Sequence, residues 1–261
     1  MGQVADFGSG AAILIPGRLD SERFPEKLLH PIFGKPLLQW TGELIQREVG
    51  EIPIVFAVDS EALAAVVEKA GFRAILTRRD HPTGTDRLAA ANRILKADTI
   101  VNVQGDEPLV DGSAIRALIK AVEDGEKMAT LAVPFKTVED FLDPNQVKVL
   151  VNTAGRAIYF SRAALPFRRG EAGPPSLEWI TGVAKARRHL GVYAYGADFL
   201  EEIVRMPVGM LEQAERLEQL RVIEAGIPIA VLPTEGDPIG IDVPEDVARL
   251  EAELRRRGIG G

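Results

Sequence analysis

Cysteine is absent from this 261-residue chain. That excludes disulfides, thiolate metal sites and a cysteine nucleophile, and it removes the usual mark of a secreted protein. Histidine is scarce as well. With three in all, a multi-histidine metal centre would consume nearly every one, which argues against a zinc enzyme. Positive charge is in deficit, with 31 Lys and Arg against 38 Asp and Glu for a formal net charge of -7. A general nucleic-acid binder needs a basic field, so no nucleic-acid partner is expected. No apolar run is long enough to span a bilayer, so no membrane partner is expected. With no cleavable signal pattern, the cytoplasm is the expected compartment. Two common nucleotide signatures are missing too. Gly34-Lys35-Pro36 lacks the spacing and the Ser or Thr of a Walker loop, and there is no Gly-x-Gly-x-x-Gly run.

What remains is an ordinary globular composition, 46% hydrophobic and 26% charged, in a chain long enough to bury a full core. Met1 to Gly10 is Gly-rich and weakly patterned, so residues 1–10 read as a mobile leader and residues 11–261 as one main domain. Ala11 to Pro16, Ile54 to Val58, Ala74 to Thr77 and Thr99 to Val103 are short β-compatible runs. Amphipathic stretches at Leu37 to Val49, Glu61 to Lys69 and Thr85 to Leu95 lie between them. This alternation predicts βαβ units and a parallel sheet. Right-handed crossovers then bring Arg18, Asp59, the Arg78 to Asp86 loop and Asp106 to one crevice.

From about residue 128 to 195 the pattern changes to strands with few long helices, which predicts an antiparallel extension and a place for a dimer contact. Arg168 to Ser176 is the best candidate for a mobile loop. Leu211 to Ala225 reads as one amphipathic helix ended by Gly226. Ile239 to Asp246 delivers Asp242 from another apolar run, before a final helix from Pro244 to about Arg257.

Two features carry chemistry. Asp106 follows a short buried strand, where an open α/β sheet places ligand-binding groups. The bland alternative is an acid that caps the next helix. The first loop, Ile15 to Leu28, carries Arg18, Arg23 and Lys27 with Ser21 between them. Arg forks and a Lys point charge suit a polyphosphate, although Asp20, Glu22 and Glu26 offer the cations internal partners instead.

Beyond these, the chain resembles the 3-deoxy-manno-octulosonate (Kdo) cytidylyltransferases, also called CMP-Kdo synthetases. The ordered motifs are the first loop, His81-Pro-Thr-Gly-Thr-Asp-Arg-Leu88, Val101-Asn-Val-Gln-Gly-Asp-Glu-Pro108, Val147-Lys-Val149, Tyr159-Phe-Ser-Arg162, His189-Leu-Gly-Val-Tyr193, Leu217-Glu-Gln-Leu-Arg221 and Gly240-Ile-Asp-Val-Pro-Glu-Asp246. They run collinearly from about Ala11 to the last helix.

The resemblance implies an α/β, Rossmann-like nucleotidyltransferase fold with a mostly parallel central sheet flanked by helices and an antiparallel extension. It implies a homodimer that joins CTP and Kdo to give CMP-Kdo and pyrophosphate with Mg²⁺, for lipopolysaccharide biosynthesis. Asp106 and Asp242 match the family's metal-binding acids. Arg18, Ser21 and Lys27 match its triphosphate loop, with Lys27 and Arg18 also catalytic. Thr83, Gly84, Thr85 and Arg87 match the segment that reads cytosine and ribose, where Thr85 is also a candidate helix cap. Gln104, Arg162, His189, Tyr193, Glu218 and Gln219 match the sugar-binding residues, with Arg162 on the Kdo carboxylate.

The chain departs from the family pattern in its first loop. The usual Leu-Pro-Gly-Lys-Pro-Leu reads Phe24-Pro-Glu-Lys-Leu-Leu29, and the usual Pro-Ala-Arg reads Pro16-Gly-Arg18. Glu26 thus replaces a permissive Gly beside Lys27, and an inward Glu26 would weaken triphosphate binding. A transferase for another acidic sugar or a sugar phosphate, and a catalytically idle nucleotide-binding homologue, are the competing expectations.

Overall fold

The computed structural model describes residues 10–21, 23–170, 173–236 and 239–259. The expected leader therefore lies outside the described residues except for Gly10. Contacts within the chain cluster into two compact units, residues 1–119 with 237–261, and residues 120–236.

The first unit is a βαβ array. Its strands are β1 (Ala11–Gly17), a short hairpin of β2 (Pro31–Ile32) and β3 (Lys35–Pro36), β4 (Ile54–Val58), β5 (Arg73–Leu76) and β6 (Thr99–Asn102). Helices α1 (Leu37–Val49), α2 (Glu61–Lys69) and α3 (Gly84–Leu95) connect them, and α4 (Gly112–Glu123) follows β6. The main strands stand in the order β6-β1-β4-β5, all parallel. Ile13 of β1 is opposite both Ile54 and Val101. Continuous Ile, Leu and Val runs are what a strand covered on both faces requires, and Ile13, Leu14 and Ile15 are fully buried. In α1 the buried residues Leu37, Thr41, Leu44 and Ile45 recur at helical spacing and face the sheet. Because the strands are parallel, Arg18, Asp59, Thr77 and Asp106 all follow strand C-termini on one edge.

The second unit holds β7 (Met128–Pro134), α5 (Val138–Leu142), β8 (Lys148–Val151), β9 (Ala157–Ser161), a π-helical turn at Trp179–Val183, β10 (Arg187–Gly196), α6 (Ala197–Ile203), α7 (Met210–Glu215), α8 (Leu220–Glu224) and β11 (Ala230–Pro233). Its pairing is mixed. β10 runs antiparallel to β7 with a bulge between Leu190 and Tyr193, and β11 runs parallel to β7. β8 pairs antiparallel with β9 and with the first residues of β10. Phe135, Phe141, Ile180 and Ala186 form a local core. The chain's last helix, α9 (Asp246–Arg256), belongs to the first unit.

Several sequence expectations are corrected here. The single helix at Leu211 to Ala225 is two short helices, because Arg216 turns left-handed (φ 52). The turn brings Arg221 against Glu212, whose carboxylate accepts two guanidinium hydrogen bonds at 2.7 and 2.5 Å. In a straight helix nine residues would separate them by about 13.5 Å. Capping of α3 falls to Thr83 rather than Thr85, through a reciprocal box with Asp86. The final helix starts at Asp246, not Pro244, because the Asp246 carboxylate accepts from the N–H groups of Asp242 and Val243 and closes a turn there.

Candidate active site

The site residues of the first unit are placed by three loops. After β1 the chain runs into the cationic loop, which ends in a 3₁₀ turn at Lys27–Leu29. After β6, Gly105 brings the next loop close. A Cβ there would meet Leu38, the Pro16 carbonyl and Leu28 at 3.1 to 3.3 Å. Its smallness therefore serves packing beneath the site. The third loop arrives from far along the chain. No strand forms at 239–242, although Asp242 follows an apolar run. Instead the Ile241 N–H donates to the Asp106 carbonyl at 3.1 Å, with the Ile241 side chain fully buried. One hydrogen bond and one buried anchor thus set Asp242 beside Asp106.

Lys27 lies between the two acids. Its Nζ is 2.5 Å from Asp106 Oδ2 and 3.5 Å from Asp242 Oδ1, while Arg23 holds Asp242 from outside at 2.8 Å. Asp106 does not cap α4. Asp111 takes that role, accepting from the Ser113 N–H at 2.8 Å. Among the described residues no group of three or more His, Cys, Asp or Glu is arranged for a metal. Two hard carboxylates converging on one positive point still suit a divalent cation that takes its other oxygens from substrate and water.

A cleft of about 240 Å³ opens beside this cluster, lined by Arg18, Ser21, Lys27, Gly84, Gln104 and Asp106 among others. Gly84 is the first residue of α3, so the positive end of that helix adds to the two cations. Arg18 is oriented by donating to the His81 carbonyl at 2.9 Å. Gln104 donates to Asn102 at 3.2 Å. The edge thus sets two cations and a helix N-terminus beside Asp20, Asp106 and Asp242.

A cytidylyltransferase family profile matches residues 12–229. A protein from Syntrophobacter fumaroxidans named 3-deoxy-manno-octulosonate cytidylyltransferase is 43% identical over 253 residues, covering 95% of this chain and 98% of its own. The chain belongs to the 3-deoxy-manno-octulosonate cytidylyltransferase family. A member of that name from Anaeromyxobacter sp. is 44% identical over 246 residues, covering 93% of this chain and 96% of its own. A solved structure of CMP:2-keto-3-deoxy-manno-octonic acid synthetase complexed with CTP matches with a TM-score of 0.84 at 35% identity, covering 95% of this chain and 99% of that one. A glucose-1-phosphate thymidylyltransferase structure from Bacillus anthracis, described as putative in its source, matches at 14% identity and TM-score 0.63 over 94% of this chain and 96% of that one, and shares the fold.

In this cytidylyltransferase the altered first loop makes a left-handed turn at Glu26 and leaves Lys27 facing the two acids. Glu26 is left-handed (φ 52, ψ 27), the conformation that the family's usual Gly adopts without strain, and its side chain is exposed. Lys27 is engaged by Asp106 and Asp242 rather than by Glu26. Leu28, in place of the usual Pro, is buried beneath Gly17 and Gly105 and ties the two loops together. Glu26→Gly is accordingly expected to stabilise the protein by about 0.5–1 kcal/mol, read as a higher urea midpoint.

Arg87 is a correction. Expected at the nucleotide, its side chain is fully buried and bound by Asp59 and Thr77, which leaves it no surface for a ligand. Thr85 is also buried within the unit, and the Thr83 hydroxyl is used in the cap.

The remaining candidates belong to the second unit. Arg162 is held by Glu215, which accepts from its backbone N–H at 2.9 Å and, through its carbonyl, from Nε at 2.9 Å. No sequence signal marked Glu215. The His189 ring sits 4.9 Å from Phe160 and 5.3 Å from Tyr193, with Nε2 3.0 Å from the Thr130 hydroxyl. Glu218 approaches Arg221 at 3.8 Å. Gln219 is buried, and its Nε2 finds no acceptor among the described residues, an unsatisfied donor of the kind a ligand completes.

Burial pushes the His189 imidazole down to about 3, against 6.5 for the free group. Below pH 6.5 the unfolded chain therefore binds the proton that the folded chain refuses, and stability falls as pH drops towards 3. At pH 5 this residue is expected to remove about 2 kcal/mol relative to pH 8. Urea denaturation at the two pH values measures it, and His189→Gln should lose that increment.

Proposed function

We propose that this chain transfers CMP from CTP to the sugar acid Kdo, releasing pyrophosphate, by in-line attack of the anomeric hydroxyl on the α-phosphorus. The observation that carries the reading is the convergence of Asp106, Asp242 and Lys27 beside a cleft lined by Arg18, Ser21 and the first residue of α3, in a member of this family. Such a transfer needs alignment and charge neutralisation more than covalent help. Mg²⁺ held by Asp106 and Asp242 would supply a template and Lewis acidity at the α-phosphate.

Arg18, Ser21 and Lys27 would receive the triphosphate, Lys27 neutralising charge that shifts towards pyrophosphate. The backbone at Thr83, Gly84 and Thr85 would meet cytosine and ribose. Arg162 is assigned to the Kdo carboxylate, and Gln104, His189, Tyr193, Glu218 and Gln219 to its other oxygens. His189, neutral by burial, would act there as a hydrogen-bonding group rather than a cation.

The site would operate in the cytoplasm, where CTP is made, on the route to lipopolysaccharide. Among the described residues no helix is long and apolar enough to cross a membrane. A homodimer is proposed as well, supported by Phe167 and Val183, which leave 85% and 72% of their surface exposed in the stretch expected to carry the contact.

A panel of CTP, UTP and dTTP against Kdo, other sugar acids and sugar phosphates tests the pairing through pyrophosphate release. CTP with Kdo should turn over fastest. A stronger acceptor of another kind would replace the substrate assignment, and CTP binding without turnover across the panel would replace the activity.

A further inference from the structure

Among the described residues of the first unit, Asp59 and Arg87 form a buried ion pair that the proposed chemistry does not use, with side chains 4% and 0% exposed. Arg87 rises from α3 and places one guanidinium nitrogen 3.4 Å from Asp59 Oδ2 and the other 2.5 Å from the Thr77 hydroxyl. Thr77 in turn donates to the Val58 carbonyl at 2.9 Å, at the end of β4. The other carboxylate oxygen, Asp59 Oδ1, accepts the backbone N–H of Leu19 at 3.0 Å. Leu19 immediately follows Arg18 in the cationic loop. That loop is thus pinned twice, by its backbone to Asp59 and by the Arg18 guanidinium to the His81 carbonyl. The Arg18 pin ends on the segment that leads into α3, and the Leu19 pin reaches α3 through Asp59 and Arg87, while Gly84 of that helix lines the cleft.

A buried ion pair adds little net stability over apolar residues of equal volume, so stability alone gives no reason for charges here. What this pair supplies that apolar residues cannot is a fixed acceptor for the Leu19 N–H, oriented by a cation that has nowhere else to go. Arg87 itself feels the burial, which together with the nearby Arg18 lowers its affinity for the proton, while Asp59 opposes the shift.

We propose that Asp59 and Arg87 are positioning residues for nucleotide binding: a buried brace that holds the cationic loop in the shape that receives the triphosphate. This rests on the CTP reading of the same cleft. The pair touches no reacting atom and acts only through the backbone at Leu19.

The deciding variant is the apolar replacement Asp59→Leu with Arg87→Met, which keeps the volume and removes the acceptor. It is expected to fold with a denaturation midpoint near that of the wild type, to raise the KM for CTP about tenfold, as for one lost positioning hydrogen bond, and to leave the KM for the sugar acid unchanged. Amide exchange at Leu19, measured without nucleotide, should quicken about tenfold. Asp59→Asn keeps an acceptor oxygen and should restore most of that protection. A folded double variant with unchanged CTP KM and unchanged Leu19 exchange would overturn the brace and leave a purely structural pair. If the double variant does not fold, Asp59→Ala carries the same two readouts. If the wild type neither binds nor turns over CTP, the functional reading fails, and the Leu19 exchange comparison still decides the brace.

Discussion

Asp106→Asn is expected to lower turnover of CTP and Kdo by about three orders of magnitude, about 4 kcal/mol in the barrier, while the fold survives. The carboxylate is three-quarters covered and faces Lys27 Nζ at 2.5 Å, and its backbone carbonyl is the acceptor that holds Ile241 and hence Asp242. Asparagine has the same shape and leaves the backbone bond untouched, so the loop should keep its place. What it removes is the negative charge, half of the hard-oxygen pair assigned to the cation. The loss should therefore fall mainly on kcat, with circular dichroism and the thermal midpoint close to wild type. A variant that keeps near-normal kcat would show that Asp106 is only Lys27's structural counter-ion.

Lys27→Met should cost somewhat less, about two to three orders of magnitude, as when one stabilising donor is lost from developing charge. Its second consequence is the more telling. The Lys27 side chain is 11% exposed and lies against two carboxylates, of which Asp242 is also held by Arg23. Methionine fills similar volume without charge, leaving Asp106 and Asp242 facing one another across a short distance. Like charges held close attract a cation more strongly. Mn²⁺ binding without nucleotide should therefore tighten in this variant, followed by electron paramagnetic resonance, even as CTP binding weakens. Loss of activity with weaker Mn²⁺ binding would mean that Lys27 organises the acids rather than competing with the cation for them.

The first unit was readable in the sequence because its information is local. The apolar runs from Ala11 to Val103 are parallel strands, buried along β1, β4 and β6 and half-exposed at the edge strand β5, and each loop after them lands on one edge by the geometry of parallel crossovers. Arg18 and Asp106 could be placed together on that basis; Ser21 and Lys27 share the first loop with Arg18, Gln104 was marked by the family resemblance, and all five line one cleft. Contacts made by distant or buried partners were not readable. Nothing in residues 239–246 announces that Ile241 will hydrogen bond to the Asp106 carbonyl from a segment without a strand. Arg87 stands in a motif that suggested a ligand contact, yet its register on α3 turns it inward to Asp59. Helical periodicity from Leu211 to Ala225 was real, but the left-handed turn at Arg216 let a buried bidentate pair form, and that tertiary gain overrode local pattern. Glu26 shows the converse. The family's Gly predicts the backbone that the chain still adopts, with a residue that pays a small strain for it.

The central claim is that this cleft joins CTP to Kdo. Phosphorus NMR of the purified chain with CTP, Kdo and MgCl₂ tests it most directly, because it reports the bonds to the α-phosphorus themselves. The three CTP signals should give way to one phosphodiester signal and one of pyrophosphate with twice its intensity, as equimolar products require, and only when Kdo is present. CTP signals that persist unchanged beside a working control enzyme, or that decay equally without Kdo, would contradict it.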